Sequence, residues 1–488
     1  MRMCPVLLGC AVALVPSASP ALEQTREQQR CVVELLAGGL GVAQAQSRAN
    51  ATCVREAGNA LVPDLPACLA ADADGTLAEV VTATTAVALA NCADTPADFG
   101  VPNAFEQTVN EAAVVHERGV VTDLFGADPD AAIIAQAEDA AGAKCQAQVT
   151  KRTEALMIAR QKAFVGCVEK VLRKGAGDAA ALAPCVESNL KGPVSRTARK
   201  LRGDVKRRCK GVDLAAAFPG ACADPVDTFA ACVVTRATCR TCRLAATSAA
   251  LDVDCDLVDD DTDNDSCRFP VSVSGHAIPF IGGPDGRIED ARIAILEHPE
   301  REVTTSADGA FLFDGLEEGS EVTLTMDALG YHPIQTGTIR LGAAGATRVT
   351  FQAPTFEIYA ALAALLQVTP DEVNRCQMVT TVTRVGKSVY DPGAHGEAGV
   401  TVTTAPALPA EHGPIYFNEL VLPDRSLVET SEDGGALHIQ VPPGEYVWTA
   451  HKPGVLISRI KQKCRAGFLV NASPPWGLQT HAAPDSPL

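Results

Sequence analysis

The chain has 488 residues, room for about three domains, and sets 41 Lys and Arg against 59 Asp and Glu for a net charge of −18. That balance argues against a nucleic-acid or general polyanion binder, which must meet phosphates with excess cation. Hydrophobic residues reach 47% but aromatics only 4%, so the core must be Ala, Val and Leu, and eighteen cysteines point to disulfides in place of ring packing.

The first 21 residues read as a secretory leader: Arg2, an apolar run from Val6 to Val15, then small residues ending at Ser19-Pro20-Ala21. A second reading takes Leu7-Leu8-Gly9-Cys10 as a lipobox with Cys10 lipidated. Later text holds no apolar run of 18 residues, so no transmembrane span is expected. Removing the leader removes Cys4 and Cys10 and leaves sixteen cysteines. An even count in an oxidising compartment favours disulfides over metal or redox thiols.

Two cysteine quartets follow, at 31, 53, 68 and 92 and at 145, 167, 185 and 209. Their steps are 22, 15, 24 and 22, 18, 24, an internal repeat. In 145–172, Cys145, Val149, Leu156, Ala159, Ala163, Cys167 and Val171 form one helical stripe. Twenty-two helical residues span about 33 Å, so the first two cysteines of each quartet cannot bond along one helix. A turn near Gly175–Pro184 gives an antiparallel hairpin instead. It pairs Cys167 with Cys185 and Cys145 with Cys209, and likewise Cys53 with Cys68 and Cys31 with Cys92. More helix-like text runs from Ala104 to Gly119 and Pro129 to Ala143. Six further cysteines between 222 and 267 allow 15 connectivities, which spacing alone does not choose among. Cys239-Arg-Thr-Cys242 also admits zinc or redox chemistry, but no histidine lies between 117 and 275.

After Cys267 the period changes to two. Strands are expected at 270–274, 291–296, 321–326, 336–341 and 347–351, separated by Asp-Gly and Gly-rich turns. Asp290-Ala291, Thr305-Ser-Ala-Asp308-Gly309-Ala-Phe311-Leu-Phe313, Leu316-Glu-Glu-Gly319 and Gly330-Tyr331 together resemble the carboxypeptidase regulatory-like domain. That resemblance implies a transthyretin-like β-sandwich of a class grouped with carbohydrate-binding folds. Gly282 to Gly286 departs from the family's opening strand. The rhythm recurs 125 residues on, where Thr430-Ser431, Asp433-Gly434, Gly444 and Val447 echo Thr305-Ser306, Asp308-Gly309, Gly319 and Val322. A second sandwich is therefore expected over 376–472, with Cys376 and Cys464 paired across it. Phe356 to Val368 reads as an amphipathic helix, and Thr369-Pro-Asp-Glu372 as the capped start of another.

The expected architecture is thus multidomain: a disulfide-stapled α-helical N-terminal half, then two all-β immunoglobulin- or transthyretin-like sandwiches. The divisions are leader 1–21, helical repeats 22–144 and 145–267, a sandwich at 268–354, a helical linker at 355–375, a second sandwich at 376–472 and a tail at 473–488. The layout resembles that of uncharacterised secreted bacterial proteins.

Candidate sites are sparse. Asp259, Asp261, Asp263 and Asp265 alternate as in a calcium loop, although Asn264 stands where Gly is expected and Pro270 where the bidentate Glu is expected; the alternative is a solvated acidic linker. His395 and Glu397, with His412 or His451, offer a metal or hydrolytic site in a Gly-rich loop. Gly386-Lys387-Ser388 matches the end of a phosphate-binding loop, but Thr381 stands where its first glycine is required, so the cradle is missing. Lys191 to Lys210 holds nine cations and one Asp, either a grip on anionic lipid or glycan or a solvated helix face. No Gly-x-Ser-x-Gly or His-Glu-x-x-His occurs. These features favour a secreted, non-enzymatic binding or structural protein with carbohydrate or a cell-envelope protein as partner and no cofactor beyond calcium. The alternatives are an exported hydrolase, or an accessory module of one, near His395 and Glu397, and a calcium-dependent envelope scaffold.

Overall fold

The computed structural model describes residues 23–188, 192–223, 228–391 and 393–482. The expected leader, with Cys4 and Cys10, lies outside them, as does Lys191. Among the described residues, no helix is long and apolar enough to cross a membrane.

The helical half contains α1 (Arg26–Gly58), α2 (Leu65–Ala70), α3 (Thr76–Cys92), α4 (Phe105–Phe125), α5 (Pro129–Ala132), α6 (Ala140–Leu172), α7 (Pro193–Arg208), α8 (Leu214–Ala217), α9 (Phe229–Ser248) and α10 (Cys255–Asp260). Local chemistry sets the ends. Thr25 caps α1 in a capping box with Gln28, Asp139 caps α6, and Gly126 in the left-handed region ends α4.

The long helices α1 and α6 run antiparallel, since Asn50 meets Glu154 while Gly58 meets Ala143. One core therefore gathers Cys31, Leu35 and Cys92 with Phe164, Val168 and Cys185. The other gathers Cys53, Leu65 and Leu69 with Cys145, Leu156 and Leu201. The two repeats, expected in series as 22–144 and 145–267, share both cores. Neither long helix presents enough apolar surface to close a core alone.

Among the described residues, eight disulfides are present: 31 to 92, 53 to 68, 145 to 209, 167 to 185, 222 to 232, 239 to 267, 242 to 255 and 376 to 464. That density suits an oxidising, extracellular environment.

The β half begins with β1 (Pro270–Pro279), β2 (Arg292–Ile295), β3 (His298–Thr304), β4 (Ala310–Glu317), β5 (Glu321–Asp327), β6 (Ile334–Arg340) and β7 (Ala346–Ala353). A three-stranded sheet in the order β4-β1-β7 faces β3-β2-β5-β6, and Val273, Ile293, Phe311, Phe313, Leu324 and Phe351 fill the space between them. Then come α11 (Phe356–Leu365), β8 (Cys376–Thr383), β9 (Thr401–Ala405), β10 (Ile415–Phe417), β11 (Pro423–Asp424), β12 (Gly435–Val441), β13 (Gly444–His451), β14 (Leu456–Ile457), β15 (Ile460–Cys464), β16 (Leu469–Ala472) and β17 (Leu478–Ala482). Met378, Val402, Tyr416, Trp448 and Val470 form the second core.

Hydrogen bonds reveal the duplication. Thr305 Oγ1 donates to Ile288 O and accepts from Ala291 N; Thr430 Oγ1 donates to Glu397 O and accepts from Val400 N. Ala277 N donates to Gly309 O, as Val382 N does to Gly434 O.

The modules are not separate beads. One edge of β6 pairs with β5, and the other with both β15 and β16. A fourteen-stranded sheet thus runs through both modules.

Two expectations are corrected. The stretch expected as a tail from 473 contains β17, parallel to β8. Its buried Thr480 and His481 disguise it as polar, although Thr480 Oγ1 donates to Thr383 O at 3.0 Å. No second helix starts at Thr369, because Gln440 takes its local backbone partners: it donates to Thr369 O and accepts from Asp371 N.

Candidate functional site

The seam between α11 and the second module holds a cavity of about 240 Å³. Strands β8, β12 and β16 form its floor through Val379, Leu437, Ile439 and Leu469, with Phe417 and Val421 at one side. The roof is α11, whose Tyr359, Leu362, Ala363 and the following Leu366 line the space. Those positions fall at i, i+3, i+4 and i+7, the stripe that normally meets a core. Here no residue of α11 is buried, because the stripe faces the cavity.

The roof is pinned near both ends. Thr355 accepts from Ile358 N at 3.3 Å, and Tyr359 stacks on buried His332 at 3.8 Å. Beyond its C-terminal end, Gln440 holds 369–371. Burial pushes the Tyr359 hydroxyl up to about 12, with Glu372 adding to the effect, so it stays a neutral phenol.

One wall is polar. His395 and Asp433 both line the cavity, and Asp433 is the one acid among the described residues that line it. Two glycines put them together. The loop carrying His395 lies flat on the Asp433-Gly434 turn: Gly396 N donates to Glu432 O at 3.0 Å. A Cβ on Gly396 would sit 2.2 Å from the Asp433 carbonyl carbon, and one on Gly434 would sit 2.7 Å from Gly396 Cα. Asp433 Oδ2 accepts from Gly435 N at 3.1 Å. Burial pushes the Asp433 carboxyl up, opposed by Gly435 N–H and by His395.

The other sequence candidates are dispersed. Glu397 is not on the cavity wall; it ion-pairs with Lys452. His412 Nδ1 lies 2.9 Å from Ile439 O, and His451 is exposed at the end of β13. Buried His438 meets Trp448 edge-on at 4.8 Å, and burial lowers it to about 4.

In the acidic stretch it is Asp256 that organises the chain, accepting from Asn264 N and Cys267 N at 2.9 and 2.7 Å and also from Asp265 N. Asp259 accepts from Ser266 Oγ at 2.6 Å; Asp261 is exposed with a positive φ. Asp263 and Asp265 line a different, polar space with Arg243, Arg268 and Arg340. The structure does not bring the four alternating aspartates together. Among the described residues, the one trio of metal-type atoms within 4.8 Å is Cys239, Asp259 and Cys267, and both its sulfurs are in one disulfide. Cys239 and Cys242 belong to different disulfides.

Ser388 donates to Asp391 at 2.8 Å, so Gly386-Lys387-Ser388 forms a closed turn. Helix α7 buries Val194, Ala198, Leu201 and Val205 and turns its cations outward, with Asp204 held by Arg152 and Arg207, both at 2.6 Å.

The cavity escaped the sequence because its walls come from residues 280 to 471. The available signal was α11's apolar text beside a Gly-rich loop with one histidine.

No family model matches the chain, and no curated protein matches it. Among solved structures, the Bacillus anthracis TIE protein is similar over 42% of this chain and 33% of its own, at 14% identity and a TM-score of 0.14. GBS52, the minor pilin of the gram-positive pathogen Streptococcus agalactiae, is similar over 45% of this chain and 99% of its own, at 11% identity and a TM-score of 0.15. This chain spans about a third of the TIE protein. Scores this low carry no inference.

Proposed function

We propose that the chain is a non-catalytic extracellular binding protein. The disulfide-stapled helical body is its rigid support, and the seam beneath α11 is its ligand site. One observation carries this reading: a predominantly apolar helix with no buried residue lines a cavity of about 240 Å³ with one of its stripes. Sites for small molecules are concave and mostly apolar, with a few placed polar groups, and the seam has that make-up. Attachment to the cell envelope and the carbohydrate link suggested by the carboxypeptidase regulatory-like resemblance belong to the exposed loops, away from the seam.

A thermal-shift screen separates these. Neutral apolar compounds are expected to raise the midpoint, and soluble oligosaccharides to leave it unchanged. Stabilisation by saccharides alone would move the site to the loops.

A second reading, hydrolysis at the same cavity, is favoured by His395 standing beside Asp433. Turnover of ester or amide substrates that disappears in His395→Ala, with folding intact, would establish it.

A further inference from the structure

We infer that the seam takes a compact apolar molecule with a hydrogen-bond-donating head, a hydroxyl or an amine, set against Asp433, and that it discriminates against carboxylate heads. This rests on the seam being the binding site proposed above.

The size follows from the space. A cavity of about 240 Å³ lies just below the usual range of small-molecule sites, about 300–1,000 Å³. The body follows from the walls, where Leu362, Leu366, Val379, Leu437, Ile439 and Leu469 surround the space and reward only apolar contact.

The head follows from the polar wall. Among the described residues, Asp433 is the one acid there, and its carboxylate accepts a single hydrogen bond, from Gly435 N to Oδ2. A carboxylate facing an apolar space without enough donors is unfavourable. A hydroxyl or ammonium supplies the missing donor. A second carboxylate brings like-charge repulsion, which the half-buried position of Asp433 leaves only partly screened. His395, on the same wall, provides a ring that accepts or donates beside the same head.

The route in is apolar too. At the tip beside the wall, Leu420, Val421 and Leu422 are exposed, and Val421 holds a φ of 61°, costly for a β-branched residue. Asn418 fixes that tip by accepting from Leu420 N and Leu422 N at 3.0 and 3.2 Å. Strain retained to display three apolar side chains next to an apolar cavity fits a mouth that receives an apolar body.

The test uses the full oxidised chain at pH 8, with naphthalene as a small neutral fluorescent dye and 1-octanol, octylamine and octanoate as competitors. Dye binding is expected in the wild type and is lost when Leu437→Trp, or Val379→Phe as a second filling variant, occupies the space. Octanol and octylamine are expected to displace the dye at concentrations at least tenfold below octanoate. Asp433→Asn, which keeps an Asn-Gly turn, should bring the three within about threefold of one another. If octanoate competes as well as octylamine while both filling variants still block the dye, the head assignment fails and the seam site stands. If the octylamine preference persists in Asp433→Asn, it reports the overall −18 charge and the assignment also fails. If the dye does not bind, or binds the folded filling variants unchanged, the seam is not the site and both readings fall.

Discussion

Inside the helical body, Glu117 and Glu154 are fully buried and side by side. Asn50 Nδ2 donates to Glu154 Oε1, and Gln161 Nε2 to Glu117 Oε1, both at 2.8 Å. Burial pushes Glu154 up to about 7; burial and Glu154 together raise Glu117 well above its ordinary 4.5. The fold therefore holds protons that the unfolded chain releases. The stability these groups contribute is complete below pH 4.5 and is lost as pH rises through about 7. Glu154→Gln removes that loss at its own position. Its melting temperature should match wild type near pH 5 and exceed it increasingly toward pH 8, by about 2 kcal/mol in stability. A difference that does not grow with pH would remove the assignment. At the seam, Gly396→Ala forces a Cβ into the Asp433 backbone. It should cost about 2 kcal/mol and weaken ligand-dependent thermal shifts by more than Asp433→Asn does, since it displaces both residues of the polar wall.

At the scale of elements, the staples matter most. Cys31 to Cys92 spans 61 residues and Cys53 to Cys68 spans 15. The chain-entropy model gives about 4 kcal/mol for the long loop and about 3 for the short one. Denaturant unfolding of the two double-serine variants should therefore rank the outer bridge as the more costly by about 1 kcal/mol. Here the sequence was informative, because bond geometry rejects most pairings once helices are assumed: the four pairs drawn from spacing are present in the structure, as is the leftover pair of Cys376 and Cys464. The Asp-Gly turns of both sandwiches were equally readable, since a left-handed glycine has few substitutes. What composition hid was polar residues in buried elements. β17 carries Gln, Thr and His, and the acceptor of Thr480, Thr383 O, lies 97 residues away in the chain. The continuity of the sheets across β6 was hidden for the same reason, as edge pairing leaves no periodic mark.

For the whole molecule, the two halves are locked through buried polar pairs. His116 Nε2 lies 2.9 Å from Glu318 Oε1, both about 1% exposed, and Thr247 Oγ1 donates to the same oxygen at 2.8 Å. Arg340 donates to Leu251 O at 2.9 Å, while Arg459 Nη2 donates to Ala97 O and Arg459 N to Asn103 O. Burial raises the Glu318 carboxyl, but His116 and Thr247 overcome this and hold it below its usual range. Removing one partner of such a pair leaves the other uncompensated, at about 3–5 kcal/mol. Calorimetry of the intact chain should show one cooperative transition. Glu318→Ala should lower it by that amount or divide it into two, and two transitions already present in wild type would contradict the lock.

The shared strand β6 also limits what inheritance can do with this protein. Tandem domains joined by a tether can be gained, lost or shuffled by recombination without harm to their neighbours. Here, deleting the later copy would bare an unpaired ladder along Ile334–Arg340, the kind of edge that recruits other chains into aggregates. The pairing of β6 with strands of both modules makes them one part that must be kept or discarded whole.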